Sequence, residues 1–307
     1  MSDEFEKGPR YSPLRVDNLI RREIASLTAA ERKVSAAILA DYPFAGLQTV
    51  ARLAERANVS GQTILRLISK IGFDGYSEFQ QALIDEIKEQ YQSPVQLRES
   101  RADNKGDATL LNSLADGAID AIRETTALVT QEQLDAVSDL LSDPKRSVVL
   151  LGGRITDSLA SYLFHHLRQI RPKVFKVPGY HEEWPEYLLR LKRNDVVVMF
   201  DVRRYQPDLS EFAQTARRQR NAQVVLVTDK WMSPISKYSS HVLPCVIDVD
   251  TPWDTGITAL LLIEGLINKV AEADWTKTRN RIESLDSLRA HTAGPSEDET
   301  DEPGTAS

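Results

Sequence analysis

Apolar positions follow two different periods along the chain, and the change of period separates an N-terminal from a C-terminal region. From about residue 16 to residue 92 the pattern is helical throughout, as in LTAAERKVSAAIL, where Val34 and Ile38 fall on one helical face. Thr28 and Glu31 have the spacing of a capping box at the start of that helix. The pattern predicts a domain built from helices over residues 16–92.

A second, long helical stretch, LLNSLADGAIDAIRETTALVTQEQLDAVSDLL, follows residue 107 and leads to Asp143-Pro144. After Asp143-Pro144, β-branched runs that are apolar on both faces alternate with helical segments. This alternation predicts a parallel sheet covered by helices on both sides. The runs are SVVLLGG, KVFKVPG, DVVVMFD, AQVVLVTD and HVLPCVID. The predicted fold class is therefore α + α/β, a helical domain followed by a doubly wound αβα parallel sheet over residues 108–275.

Composition predicts two segments outside these domains. Residues 93–107 are polar and contain Pro94 and Gly106, which is typical of a linker. Residues 292–307 carry acidic side chains and no Lys or Arg, as expected of a disordered terminus. The formal net charge of −7 argues against a protein that binds polyanions over its whole surface. Much of that charge belongs to the acidic terminus, so a local basic surface is still permitted.

The chain shows no sign of membrane insertion or of structural disulfides. None of its apolar runs approaches the ~20 residues that a membrane-spanning helix requires. The N-terminus lacks the apolar core of a signal peptide, so we expect a cytoplasmic protein. Cys245 is the one cysteine, and its apolar surroundings predict a buried, unreactive thiol.

The segment VARLAERANVSGQTILRLIS has the layout of a helix-turn-helix motif. Ala54 is small where the two helices would approach each other, and Asn58 tolerates the positive φ that the turn requires. Ser60 is placed to cap the second helix, and Ile64 and Leu67 return to the core. In such motifs the second helix enters the major groove of DNA with its N-terminal residues at the base edges.

The outer side of this second helix carries side chains that suit DNA. Glutamine can bond to adenine, arginine to guanine or phosphate, and short hydroxyls to either. The candidate DNA contacts are Ser60, Gly61, Gln62, Thr63, Arg66, Ser69 and Lys70. The alternative is a helical hairpin that only packs, and the balanced charge of residues 21–88 does not favour DNA binding over it.

LTAAERKVSAAIL and LAERANVSGQTILRLISKIGFDGYSEFQQAL together resemble the N-terminal domain of RpiR-type (MurR/RpiR) bacterial transcriptional regulators. In that family the domain is joined to a C-terminal SIS (sugar isomerase) domain, a doubly wound αβα sandwich that binds phosphosugars. The resemblance extends over about residues 27–273. It implies a regulator, more commonly a repressor, that is not an enzyme and has no cofactor. It also implies a homodimer or homotetramer that binds a double-stranded DNA operator and a small anionic metabolite effector.

A candidate effector site follows the first predicted strand. VVLLGGRITDSLASYLFHHL predicts a strand, a glycine turn and a helix whose free N–H groups suit an anion. The segment MFDVRRYQPD reaches the same carboxyl edge, where open α/β sheets bind ligands. The candidate effector contacts are Gly152, Gly153, Arg154, Thr156, Ser158, Asp201, Arg203 and Arg204.

Two loops depart from the usual SIS pattern. Arg154 stands where a second loop glycine is expected, and residues 201–206 replace a hydroxyl-rich loop. Because guanidinium groups bind both phosphates and carboxylates, the expected effector is a phosphosugar or an organic acid. In the alternative interpretation, Arg154 and Arg203 pair with Asp157 or Asp201 and close a vestigial pocket.

Other polar clusters have weaker functional implications. Side chains of the adjacent His165 and His166 point ~100° apart on a helix, which is poor spacing for metal ligands. The run 181–183 (His-Glu-Glu) is more typical of a solvated helix start than of a catalytic or metal site. A further group is expected to line the pocket or a subunit contact: Asp248, Asp250, Thr251 and Trp253.

Two rival functions remain open from the sequence. One is an SIS-type sugar-phosphate isomerase or processing enzyme with an accessory helical domain, which would convert a phosphosugar and would not bind DNA. The other is a metabolite-binding module whose helical domain contacts protein.

Overall fold

The computed structural model describes residues 15–91, 95–96, 98, 109–249 and 251–292. The chain forms two compact units, Met1–Gln92 and Ser93–Ser307. Most of the predicted linker over 93–107, residue Asp250 and residues 293–307 of the predicted acidic terminus lie outside the described residues. None of the helices in the described ranges combines the length and apolarity that crossing a lipid bilayer requires.

The first unit is helical. Its helices are α1 (Val16–Glu23), α2 (Ala29–Ala40), α3 (Val50–Ala57), α4 (Gly61–Lys70) and α5 (Tyr76–Tyr91), with a 3-10 turn at Phe44–Leu47. Helices α2, α3 and α4 pack against one another, and Val34, Ile38 and Phe79 are fully buried in their common core. The capping box predicted at the start of α2 is confirmed, with Thr28 and Glu31 exchanging backbone-to-side-chain hydrogen bonds of 3.3 and 2.8 Å.

The second unit is an α/β sandwich, as predicted. Its elements are α6 (Leu110–Leu128), α7 (Gln131–Ser142), β1 (Val148–Gly152), α8 (Asp157–Ile170), β2 (Val174–Lys176), α9 (Trp184–Arg190), β3 (Val196–Phe200), α10 (Pro207–Arg218), β4 (Gln223–Asp229), β5 (His241–Cys245), α11 (Ile257–Glu272) and α12 (Trp275–Thr292). The strands are parallel in the order β2-β1-β3-β4-β5. Strand order reverses between β1 and β3, which makes that position the topological switch point of the sheet.

Successive strand residues point to opposite faces of the sheet and feed two separate cores. Val148 and Leu150 of β1 pack on one face with residues of α7, α8 and α11. Val149 and Leu151 pack on the other face with Trp184 of α9 and Phe212 of α10. Because β1, β3 and β4 are buried on both faces, they read as continuous apolar runs in the sequence.

The helical stretch that the sequence predicts before β1 is interrupted. Two helices occur, and the break falls at Val129, where Thr130 forms a second capping box with Gln133.

At the other end of the unit, α12 continues to residue 292. Its Thr278 is buried and donates a hydrogen bond to the carbonyl of Ala271 at 3.0 Å. Arg281 donates to the carbonyl of Arg168 on α8, also at 3.0 Å, so α12 packs on the same unit.

Candidate functional site

The turn between α3 and α4 has the geometry that its sequence predicts. Asn58 is left-handed, with φ 50° and ψ 57°, and its N–H donates to the carbonyl of Glu55 at 3.1 Å. The N–H of Val59 donates to the carbonyl of Ala54 at 3.0 Å. Ser60 then begins α4, because its hydroxyl oxygen accepts the N–H of Thr63 at 3.4 Å. The turn thus fixes the angle between two short helices.

Helix α4 has two chemically distinct sides. Ile64, Leu67 and Ile68 are fully buried, as the sequence predicts for the first two. Gln62, Arg66 and Ser69 are exposed, and their spacing of four and three residues places them on one face. Gly61 lies at the close approach of the two helices, where a Cβ atom would come within 3.3 Å of Val50 Cγ1.

Three predicted DNA contacts also have structural partners. The hydroxyls of Ser60 and Thr63 lie 3.1 Å apart and belong to the cap of α4. The ammonium group of Lys70 donates to the carbonyl of Ser26 at 2.6 Å and lies 3.4 Å from Glu31 Oε2. Lys70 therefore joins the C-terminal end of α4 to the start of α2. The hydrogen bonds from Thr28, together with Lys70, lower the pKa of Glu31.

A cavity of about 640 Å³ opens at the carboxyl edge of the sheet. Its walls are the loop after β1, the loop after β3 and the segment between β5 and α11. The first two walls flank the switch point, the position where open α/β sheets bind ligands. All of the predicted effector residues except Gly152 line this cavity. Gly152 lies just behind it, where a Cβ atom would meet the Thr156 carbonyl oxygen at 2.5 Å.

Several polar groups of the loop after β1 already form hydrogen bonds within the protein. The Thr156 hydroxyl accepts the N–H of Gly153 at 2.8 Å and donates to the carbonyl of Phe200 at 2.7 Å. Thr156 thereby fixes the loop after β1 to the end of β3. The N–H of Arg154 donates to Gln206 Oε1 at 2.7 Å. The acceptor of this loop N–H is therefore a side-chain oxygen of the protein itself.

Arg203 is buried, and its partners differ from those considered from the sequence. Its Nη2 donates to Asp248 at 2.8 Å, and its Nη1 lies 3.1 Å from Asp254. The guanidinium also lies over the ring of Trp231, 4.3 Å from the ring centroid. The vestigial pairing with Asp157 or Asp201 is absent from the described residues: Asp157 pairs with Lys176 at 2.8 Å. The cavity beside Arg203 remains open.

Two buried carboxyl groups, those of Asp201 and Asp229, stabilise the loop after β3 that lines the cavity. Asp201 accepts a hydrogen bond from the Ser233 hydroxyl, and burial raises its pKa to about 6. Asp229 accepts from the Tyr205 hydroxyl at 2.6 Å and from the N–H of Arg203. Burial raises the pKa of Asp229 as well. Both side chains therefore hold the loop after β3 in place.

Arg154, Ser158 and Arg204 remain exposed at the cavity. Arg204 adopts a left-handed backbone with φ 61°, which is uncommon for a residue with a side chain. In the described part of the chain, neither Arg154 nor Arg204 has a carboxylate within 4 Å of its guanidinium. Among the described residues that line the cavity, Arg154 and Arg204 are the exposed cationic ones.

The remaining polar clusters have structural partners. His181 pairs with Asp208 at 2.9 Å and stacks on Trp184. His165 is exposed, and His166 packs against Tyr162 with ring centroids 4.6 Å apart. Cys245 is buried, and this burial raises the pKa of its thiol to about 12, as expected of an unreactive cysteine.

The segment after β5 contributes more to the cavity than its sequence indicates. Trp253 lines the cavity and is 68% exposed, whereas Asp248 pairs with Arg203 and the Thr251 hydroxyl donates to the Trp253 carbonyl. Asp254 and Gln206 are functional candidates that sequence reasoning missed. Gln206 is a polar residue directly before α10, a signal shared by many residues that lie in no site, and Asp254, three positions before α11, carries no comparable signal.

Two family models match the chain. The model described as "Helix-turn-helix domain, rpiR family" matches residues 14–90, and the model described as "SIS domain" matches residues 140–269. Among curated relatives, a Haemophilus influenzae protein named "Uncharacterized HTH-type transcriptional regulator" is 25% identical over 71% of this chain and 75% of its own length. A similarly named Providencia stuartii protein is 22% identical over 68% of this chain and 72% of its own.

Solved structures share the fold. Vibrio vulnificus NanR, complexed with ManNAc-6P, matches with a TM-score of 0.52 and 18% identity over 90% of this chain and 98% of its own. The sugar isomerase domain of an RpiR transcription factor from Sphaerobacter thermophilus matches with a TM-score of 0.55 and 16% identity over 59% of this chain and all of its own. A helix-turn-helix unit of the rpiR family thus precedes an SIS unit, and the chain belongs to the RpiR-type transcriptional regulators.

Proposed function

We propose that this protein binds double-stranded operator DNA through α4 and changes its DNA affinity when a small anionic metabolite occupies the cavity. The polar face of α4 carries the first part of the proposal. Gln62, Arg66 and Ser69 are exposed on one face, while Ile64, Leu67 and Ile68 of the same helix are buried. The stable turn at Asn58 presents this face at a fixed angle. That arrangement is what insertion of a second helix into the major groove requires.

One such helix offers little contact surface, so we propose that the protein acts as a symmetric homo-oligomer. Two copies of α4 would then contact two half-sites of a palindromic operator. Gln62 is placed for an adenine edge, and Arg66 for guanine or for phosphate. Lys70 is assigned a positioning role, because its ammonium group holds α2 rather than facing outward.

For the effector we propose a phosphosugar or a similarly sized organic acid. The exposed guanidinium groups of Arg154 and Arg204 supply positive charge at the mouth of the cavity. A volume of about 640 Å³ is ample for a monosaccharide phosphate. The complex of NanR with ManNAc-6P supports this class of ligand, since that protein shares the fold.

We further propose that the cavity binds its ligand without converting it. The buried carboxyl of Asp201 accepts a hydrogen bond from the Ser233 hydroxyl, and we assign it a structural role in holding the loop after β3. The curated relatives are named as regulators. A coupled assay with sugar phosphates tests this point directly. Sustained conversion of any of them by the purified protein would favour the isomerase alternative.

The DNA part of the proposal is tested by gel shift with DNA from upstream of the protein's own gene. Arg66→Ala should weaken specific binding by about 1–3 kcal/mol if Arg66 contacts a base. Lys88→Ala is the matched control, because Lys88 is an exposed cation on α5 whose loss changes the net charge equally. Unchanged affinity of Arg66→Ala at matched salt would remove Arg66 from the contact surface.

The effector part is tested by isothermal titration with a panel of sugar phosphates and organic acids, repeated in the gel-shift assay. A true effector binds the wild-type protein and also changes DNA affinity. Arg154→Ala and Arg204→Ala should each weaken its binding. If no anion of the panel binds or changes DNA affinity, the proposal that the cavity senses anions fails.

A further inference from the structure

Arg203 lies against two carboxylates that hold it in different ways. Nη2 donates to Asp248 with a well-aligned hydrogen bond of 2.8 Å. Asp248 is also 3.6 Å from the ammonium group of Lys230, so this carboxylate has two cations beside it. Asp254 lies 3.1 Å from Nη1 without the alignment of a hydrogen bond. Asp248 is therefore the anchored partner of Arg203, and Asp254 is the looser one.

The guanidinium keeps unused donors despite this pairing. Its side chain is fully buried, yet Nε and Nη1 have no hydrogen-bond partner among the residues that the structure describes. Buried polar groups rarely remain unsatisfied in folded proteins, and a guanidinium offers five N–H donors. Arg203 also forms part of the cavity wall. Unused donors at that wall point to a further acceptor that enters from the cavity.

Asp254 is the group that such an acceptor would meet first. Its carboxylate is about one quarter exposed, whereas the side chain of Arg203 behind it is inaccessible to solvent. Its neighbour Trp253 is also exposed, so this part of the cavity wall is accessible to solvent. Burial raises the pKa of Asp254, against the opposing effect of Arg203, which is consistent with a carboxylate held in an unfavourable setting.

We propose that Asp254 is an internal counterion that occupies the place of the effector's anionic group on Arg203. An anionic ligand would displace the Asp254 carboxylate, reach the Nε and Nη1 donors and leave the bond to Asp248 intact. The inference rests on the proposed anion-binding function of the cavity. It assigns Arg203 as the deep anion-binding residue. Asp254 is the residue whose competing charge lowers the affinity for an anionic ligand.

The test compares Asp254→Asn with Asp248→Asn in the full-length protein, using inorganic phosphate and glucose 6-phosphate as probes. Removing the competing charge of Asp254 should tighten phosphate binding roughly tenfold, the size expected for one hydrogen bond to a charged group. Asp248→Asn removes the anchored partner and should not produce this gain. Circular dichroism checks that both variants fold, and Asp254→Ala serves as a second variant without an amide that could replace the carboxylate.

Hydrogen–deuterium exchange supplies an independent measurement. Saturating phosphate should increase amide exchange in residues 251–256 of the wild-type protein, because the segment loses its contact with Arg203. The inference is overturned if neither Asp254→Asn nor Asp254→Ala binds phosphate better than the wild type. This holds even if sugar phosphates regulate DNA binding. Conversely, variants that gain phosphate affinity while no anion changes DNA affinity would refute the proposed function and leave the counterion assignment standing.

Discussion

The N–H of Arg154 donates to the side-chain oxygen of Gln206 at 2.7 Å, joining the loops on either side of the switch point. A Cβ atom on Gly153 would come within 2.3 Å of the same oxygen. Gly153→Ala should therefore destabilise the protein by about 1–3 kcal/mol, the usual cost of overpacking. In a Gln206→Ala background the cost should shrink, because the obstructing oxygen is gone. Urea unfolding of the four proteins of this double-mutant cycle measures the coupling.

Gly152→Ala is the matched control for that cycle. Its Cβ would meet the backbone of Thr156 and Asp157 at 2.5 and 2.6 Å, and backbone atoms cannot rotate away. Its destabilisation should be the same with or without Gln206. Equal costs of Gly153→Ala in the two backgrounds would show that Gln206 does not limit the space at Gly153.

The left-handed turn at Asn58 gives a second prediction. Asn58→Ala should destabilise the first unit by about 1–2 kcal/mol, since an alanine side chain disfavours positive φ. Asn58→Gly should be close to neutral, because glycine adopts this conformation without steric cost. Hydrogen–deuterium exchange of the α3 and α4 amides measures the local effect. Equal protection in the alanine and glycine variants would show that backbone strain is not the cause.

The interaction of Glu31 with Thr28 and Lys70 predicts a pH dependence. Because the folded state lowers the pKa of Glu31, its contribution is present above the unfolded pKa near 4.5 and is lost as pH falls through the folded value. Glu31→Gln should reduce the loss of stability that occurs below about pH 5. The reduction should be about 1 kcal/mol, which is typical of a helix cap. Thermal unfolding as a function of pH measures it. Lys70→Met should reduce the same decline, whereas Lys88→Met should not.

Asp201 predicts a dependence of the opposite sign. Its pKa of about 6 in the folded state exceeds the ordinary 3.8, so the folded protein binds a proton between these values that the unfolded chain lacks. Its contribution to stability therefore rises as pH falls from 7 to 4, by about 1–3 kcal/mol in total. Asp201→Asn should remove this gain, as measured by urea unfolding across the range. If the dependence of stability on pH is unchanged in Asp201→Asn, a group other than Asp201 binds the proton.

Local patterns were sufficient to predict the framework of both units. Asn58 is left-handed because a turn between two helices needs such a residue, and the apolar spacing of Ile64 and Leu67 places both in the core. The strands of the sheet are visible for the same reason, since burial on both faces leaves continuous apolar runs. These features depend on residues that are near in sequence.

The pairing of charged side chains was not predictable in this way. Arg203 pairs with Asp248, 45 residues away, although Asp201 lies much nearer in sequence. Lys70 lies at an outward position of its helix, yet its long side chain reaches the carbonyl of Ser26, 44 residues earlier. Such partners follow from tertiary packing, which a single sequence does not specify.

The bridge formed by the Thr156 hydroxyl restricts how the cavity can respond to an occupant. Because it joins Gly153 to the carbonyl of Phe200 at the end of β3, the loops after β1 and β3 are linked to each other. The third wall begins at Val246, whose N–H donates to the Thr125 hydroxyl of α6 at 3.0 Å. A ligand that displaced this third wall would therefore act on α6, the helix that follows residues 93–107.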